Sequence, residues 1–151
     1  MNNETLKEWL IKQFPHSQVG ETNDFVCITV SKEDLFQTMN ELKNNASTSF
    51  DSLFCETAVD KNDAFELIYH LTSTKYRHNL EIKTIVADRI NPEVPSVFPL
   101  WKSAELFECE IFDLFGIHFT GHNCRRLFLS DDWIGFPLRK DYNDEVNVVK
   151  L

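Results

Sequence analysis

The sequence predicts an α+β fold: a two-layer sandwich of helices on a largely antiparallel four-stranded sheet, followed by a C-terminal helix and a long extended tail. Three observations predict it. Two segments with helical spacing fall within the first 44 residues. Three runs of apolar alternation then follow, joined by short polar turns. Past residue 88 the alternation stops, and prolines, one further helical run and an irregular segment take over. A chain of 151 residues corresponds to about one domain and is long enough to bury a real core.

Residues 4–14 (ETLKEWLIKQF) place Leu6, Trp9, Leu10 and Phe14 on one helical face, and Pro15 closes the last turn. Residues 25–30 (FVCITV) are short, β-branched and almost wholly apolar, as a buried strand requires. Ser31 reads as the N-cap of a second helix, with Glu33 and Asp34 in its first turn and Leu35, Met39 and Leu42 facing inward. In the next strand Leu53, Cys55, Thr57 and Val59 alternate with Phe54, Glu56 and Ala58. Phe65, Leu67, Tyr69 and Leu71, then Leu80, Ile82, Thr84 and Val86, form the inward sets of two more. The turns at 60–63 and 73–79 are short, so these three strands form an antiparallel meander. Pro92, Pro95 and Pro99 favour an extended connection. Residues 101–115 read as a helix closed by Gly116, and 117–151 as the tail. The division is therefore 1–100, an α+β body ending in a Pro-rich connection, and 101–151, a helix and an extended partner-binding tail, within one structural domain.

Composition excludes several classes. The net charge is −9, spread as −3 over each third, which leaves no basic face for nucleic acid. The longest strictly apolar run, residues 25–28, is too short for a membrane span or a signal-peptide core. The four cysteines, at 27, 55, 109 and 124, form no CxxC pair and match no iron–sulfur or zinc-ribbon spacing. They read as reduced thiols of a cytoplasmic protein, with Cys27 and Cys55 as small core hydrophobes.

The last third is the most informative. Seven of the thirteen phenylalanines lie between 98 and 136. Leu100, Ala104, Phe107, Ile111 and Leu114 suffice to dock the helix on the sheet, so Phe112 and Phe115 offer a second apolar surface, for the folded-back tail or, preferably, for a partner. The same helix carries Glu105, Glu108, Glu110 and Asp113 against the single cation Lys102. Like charges one turn apart repel, and Asp113 faces the negative helix end. The arrangement asks for cations from outside the helix, with Arg125, Arg126, Arg139 and Lys140 as candidates, or else is a solvated acidic face.

Residues 101–142, WKSAELFECEIFDLFGIHFTGHNCRRLFLSDDWIGFPLRKDY, resemble the C-terminal signature of the thirty-kilodalton subunit of respiratory complex I, the C subunit of the bacterial NADH:quinone oxidoreductase. Its pattern runs approximately W-x-x-A-x-x-x-E-R-E-x-x-D-x-F-G-I-x-F-x-G-H-P-x-x-R-R, then G-H-P-L-R-K-D-[FY]. Glu108, Glu110 and Asp113 match the acidic triplet, and Phe115-Gly116-Ile117 the turn. Gly121-His122 and Arg125-Arg126 match the next block, and Pro137-Leu138-Arg139-Lys140-Asp141-Tyr142 the last. Residues 69–73 and 95–97 also resemble family segments, so the resemblance spans about 65–142. The chain departs from the pattern at Cys109 (for Arg), in the block 122–126 (one residue short), at Phe136 (for His) and at Asn143 (for Pro).

The resemblance implies a non-catalytic subunit of a proton-translocating enzyme that passes electrons from NADH through FMN and iron–sulfur clusters to quinone. It implies no cofactor, metal or catalytic residue in this chain, the flavin and clusters being held by partner subunits. The implied neighbours are the forty-nine-kilodalton subunit at the quinone site and the small subunit holding the terminal cluster, with the ferredoxin-like subunit as a further candidate. The implied place is peripheral, on the cytoplasmic side of the inner membrane. Glu108, Glu110, Asp113, Phe115, His122, Arg125, Arg126, Trp133, Arg139, Lys140, Asp141 and Tyr142 become the candidate interface and signature residues, with Arg139 as an ionic anchor to the partner whose loss should leave the isolated fold unchanged. Two alternatives stand beside this reading. One is the equivalent subunit of a membrane-bound nickel–iron hydrogenase or other complex-I-like enzyme. The other is a free-standing zinc-binding adaptor using Cys109, His118, His122 and Cys124, which are soft or borderline ligands without paired spacing.

Overall fold

The computed structural model describes residues 2–144. Its elements are α1 (Asn3–Gln13), β1 (Gln18–Glu21), β2 (Val26–Thr29), α2 (Leu35–Asn44), β3 (Ser52–Asp60), β4 (Phe65–Ser73), β5 (His78–Val86), β6 (Glu93–Pro95), α3 (Ala104–Phe115) and β7 (His118–Thr120). The main sheet has five strands in the order β1-β2-β5-β4-β3, and β6 and β7 form a separate pair. The α+β sandwich is as expected, but the strand count and one strand direction differ.

The extra strand is β1, a polar and mostly exposed edge strand antiparallel to β2. It has no alternating apolar set, so nothing in its sequence marks it. The direction differs because α2 carries the chain from β2 to β3 at the far edge, and the meander then returns. That brings β5 beside β2 in parallel. The meander itself is antiparallel throughout. Its first turn is fixed by Asp60, whose Oδ1 accepts the Asn62 N–H at 2.8 Å while Asn62 takes a φ of 73°.

The inward sets of β4 and β5 are as expected: Phe65, Leu67, Tyr69, Leu71, Leu80 and Ile82 are fully buried. In β3 the phase is the other one. The register shifts between Leu53 and Cys55, so Glu56, Ala58 and Asp60 turn inward while Thr57 and Val59 turn out. The second helix starts at Leu35, not after Ser31. Ser31 and Asp34 bond to each other in a preceding turn, with Ser31 Oγ donating to Asp34 Oδ2 at 2.8 Å. α3 likewise begins at Ala104, after a turn in which Trp101 N–H donates to the Val97 carbonyl.

The Pro-rich connection and the residues after α3 are not simply extended past one another. They pair: β6 runs parallel to β7, with Val94 opposite Phe119. Flanking bonds lengthen the ladder, from His118 N–H to the Pro92 carbonyl (2.9 Å) and from Ser96 N–H to the Thr120 carbonyl (3.1 Å). α3 is thus held at both ends, and its residues Ala104, Ile111 and Phe115 join the same hydrophobic cluster as Leu6, Leu10, Leu35, Met39, Leu42 and the sheet.

Ile82 lies on β5, the central strand, with no exposed surface. Ile82→Ala is expected to cost about 2–5 kcal/mol, read as a lower urea midpoint with an unchanged slope.

Candidate functional site

The carboxylates of α3 are sorted by the fold. Glu105 and Glu110 stay in water, whereas Glu108 and Asp113 have no exposed surface. A buried carboxylate must be hydrogen-bonded or paired, and each of these draws a different segment onto the helix.

Glu108 joins the segments before and after α3. Oε1 accepts the Val97 N–H at 2.7 Å, and Oε2 accepts the Ser96 hydroxyl at 2.7 Å. His122 Nδ1 lies 2.5 Å from Oε2, and the His122 ring stacks on Phe98. Asp113 gathers the tail. Its Oδ2 accepts the N–H groups of Leu127, Phe128 and Leu129 at 3.0, 2.7 and 3.1 Å. Oδ1 pairs with Arg126 at 3.0 Å, and the same guanidinium donates to the carbonyls of Asp113, Trp133 and Gly135. Burial alone would raise the Asp113 pKa, but the Phe128 N–H, the Arg126 guanidinium and the other two amides hold it below the ordinary value.

A third carboxylate, Asp60 at the end of β3, closes the arrangement from the sheet side. Arg89 donates to it through both Nη atoms, at 2.7 and 2.9 Å, and the Lys140 N–H adds a bond of 2.9 Å. The Arg89 bonds hold the Asp60 carboxyl well below the usual carboxylate range. Arg139 completes the clasp without meeting any α3 carboxylate. Its Nε donates to the Phe115 carbonyl at 2.5 Å and its Nη1 to the Arg89 carbonyl at 3.1 Å. The guanidinium lies 5.1 Å from the ring centres of both Phe65 and Phe136. Gly116, at φ 70°, ends α3 under the Phe136 ring, where a Cβ would collide with that ring.

The candidate residues therefore separate into groups. Glu108, Asp113 and Phe115 are buried, and His122 nearly so. The cation that pairs with the buried Asp113 comes from within the chain, as Arg126. Arg139 donates to the carbonyls of Phe115 and Arg89 within the chain, so its loss is expected to be felt in the isolated fold as well. Glu110, Arg125, Lys140 and Asp141 are exposed, with Asp141 3.4 Å from Arg89. Trp133 and Tyr142 are half-buried, Tyr142 against Gly135. Apolar side chains on α3 and the tail also face water: Leu106, Phe128, Ile134 and Leu138 are each more than half exposed.

Sequence reasoning missed Asp60, Arg89 and Ser96, none of which carries a spacing signal. It also missed Glu56, a carboxylate on an inward position of β3. Burial and the nearby Glu108 push the Glu56 carboxyl well above its ordinary pKa, and neither of its oxygens has a hydrogen-bond partner. Of the four soft ligands, three converge. Cys109 Sγ is 3.9 Å from His122 Nε2, and Cys124 Sγ is 3.6 Å from His122 Nδ1. His118 is exposed and packs on Phe112 instead.

Residues 28–147 match the family described as the respiratory-chain NADH dehydrogenase 30 kDa subunit. The C subunit of the NADH-quinone oxidoreductase of Moorella thermoacetica is 38% identical over 136 residues, covering 88% of this chain and 90% of the relative. The C/D subunit of the same enzyme from Phocaeicola vulgatus is 40% identical over 126 residues, covering 82% of this chain. The match spans only 24% of that relative's length. Among solved structures, a chain of the membrane-bound sulfane sulfur reductase, an archaeal respiratory membrane complex, superposes with a TM-score of 0.76. The two are 22% identical, over 94% of this chain and 86% of that one, which is a likeness of fold.

Asp113→Ala strands Arg126 in a half-buried site and is expected to cost about 3–5 kcal/mol by urea unfolding at pH 7. Because the folded pKa of Asp113 is lowered, its contribution is complete above the unfolded value of about 4 and is lost as pH falls through the folded one. The difference between wild type and variant should therefore shrink when the same titration is run near pH 3. Arg139→Ala should lower the stability of the isolated chain by about 1.5–3 kcal/mol and speed limited proteolysis beyond α3.

Proposed function

The chain belongs to the family of the 30 kDa subunit of respiratory-chain NADH dehydrogenase, and from that membership we propose that it serves as the C subunit of an NADH:quinone oxidoreductase. Its work there is mechanical. It braces the forty-nine-kilodalton subunit of the quinone site and the terminal-cluster subunit, with the ferredoxin-like subunit as a further neighbour, while electrons pass from NADH to quinone elsewhere. FMN and the iron–sulfur clusters sit in the partners, and this chain brings no redox group of its own. The complex is held peripherally on the cytoplasmic side of the inner membrane through other subunits. In keeping with this, no described helix is long and apolar enough to cross a membrane.

One observation carries the bracing role. Arg126 pairs with the buried Asp113 and Arg139 donates to the Phe115 carbonyl, so the tail is fixed on α3 from within the chain, while Leu106 on α3 and Phe128, Ile134 and Leu138 on the tail face water. A segment already ordered before association loses little conformational entropy on docking, and its exposed apolar side chains supply the area to bury. Relatives named as a joint C/D subunit support the forty-nine-kilodalton D subunit as the immediate neighbour.

The test is native electrophoresis of detergent-solubilised membranes, probed for this chain and stained for NADH oxidation. Migration in an NADH-oxidising band many times the mass of the chain is expected, and Leu138→Asp should release the chain from that band while leaving its circular dichroism unchanged. A chain that stays near its own mass overturns the proposal. A large band that evolves hydrogen and does not oxidise NADH replaces it with the hydrogenase reading.

A further inference from the structure

The bracing role makes no use of the sulfur and imidazole groups beneath the turn that follows β7. Cys109, on α3, and His122 and Cys124, on that turn, bring their ligand atoms within 4.8 Å of one another. We propose that these three residues form a zinc(II) site.

The geometry is close to what the ion requires. Zinc bound at ~2.3 Å to sulfur and ~2.1 Å to nitrogen in tetrahedral geometry places neighbouring ligand atoms roughly 3.6–3.8 Å apart. Cys109 Sγ and His122 Nε2 stand 3.9 Å apart, so a few tenths of an ångström of side-chain rotation close that pair on the ion. Cys124 Sγ stands 3.6 Å from Nδ1, the other nitrogen of the same ring, and joins the ion at Nε2 by side-chain rotation.

The ligands are held in place by bonds that do not involve the ion. Glu108 engages His122 Nδ1 and so leaves Nε2 to the metal, the carboxylate–histidine arrangement that orients metal-bound imidazoles. Phe98 stacks on the ring at 5.0 Å. The turn carrying Cys124 is set by bonds from His122 N–H to the Phe119 carbonyl and from Cys124 N–H to the His122 carbonyl, both 3.1 Å.

Glu56 is buried on an inward position of β3, and neither of its carboxyl oxygens has a hydrogen-bond partner. Binding displaces one proton from each thiol and changes no oxidation state. Three protein ligands leave one position for a water molecule or a group from an adjoining subunit.

The full chain, purified metal-free under a non-thiol reductant, is titrated with zinc alone and separately with cobalt(II). About one zinc per chain should survive gel filtration, and the cobalt form should show thiolate-to-cobalt charge-transfer absorption. Cys109→Ser and Cys124→Ser should each weaken zinc retention at least tenfold, whereas His118→Ala should retain it. Zinc binding by the wild type no stronger than by a folded Cys109→Ser/Cys124→Ser double variant overturns the proposal. If the double variant does not fold, the absence of the charge-transfer band from the cobalt-titrated wild type overturns it equally.

Discussion

Two carboxylates without access to water set the form of the C-terminal third. Withdrawing a carboxylate from water is costly, and only nearby donors offset the loss. Asp113 at the end of α3 takes three successive backbone amides and a guanidinium from residues 126–129. Glu108, one and a half turns earlier, takes a hydroxyl and an amide from the Pro-rich connection and meets a histidine from beyond β7. A tail with little regular structure is thereby held to one path, because other paths leave one of these charges unsatisfied. The acidity that weakens α3 as an isolated helix is what gives it a defined surrounding.

The body of the fold was largely legible and the tail much less so. Period-2 alternation located β4 and β5 with their inward faces, since both strands keep an unbroken pleat. In β3 the same pattern gave the wrong face, because a bulge near Phe54 reverses the phase and no residue there announces it. β1 was invisible for the opposite reason, being a short polar edge with nothing to bury. The acidic run on α3 did signal a need for cations. Spacing could not tell that Asp113 would find Arg126 while Arg139 would turn to the Phe115 carbonyl. That choice depends on three-dimensional closure over a distance in sequence that no local period reaches.

Asp113 and Arg126 pair beneath the surface, while Leu106, Phe128, Ile134 and Leu138 face water above them. Arg126 and Arg139 lie across the Phe136 ring, and Arg89 and Arg139 across Phe65, so cations and rings together form the base from which the tail's outer residues project. Solvent-exposed ion pairs at a docking surface add little affinity and respond to salt. On the proposed bracing role, shielded pairs beneath such a surface would leave docking to apolar contact.

The placement of the donors downstream of the carboxylates they serve orders events during synthesis. The five-stranded sheet needs nothing beyond Val86 for its backbone pairing. α3 cannot settle when it emerges, because the amides that receive Asp113 follow 14 to 16 residues later. The Lys140 amide that closes on Asp60 comes 80 residues after its acceptor. Until those residues leave the ribosome, Asp113 has none of the tail donors that receive it in the folded chain. The surface formed by α3 and the tail is thus the last part of the chain to be completed, because the donors that fix it are encoded after the carboxylates they serve.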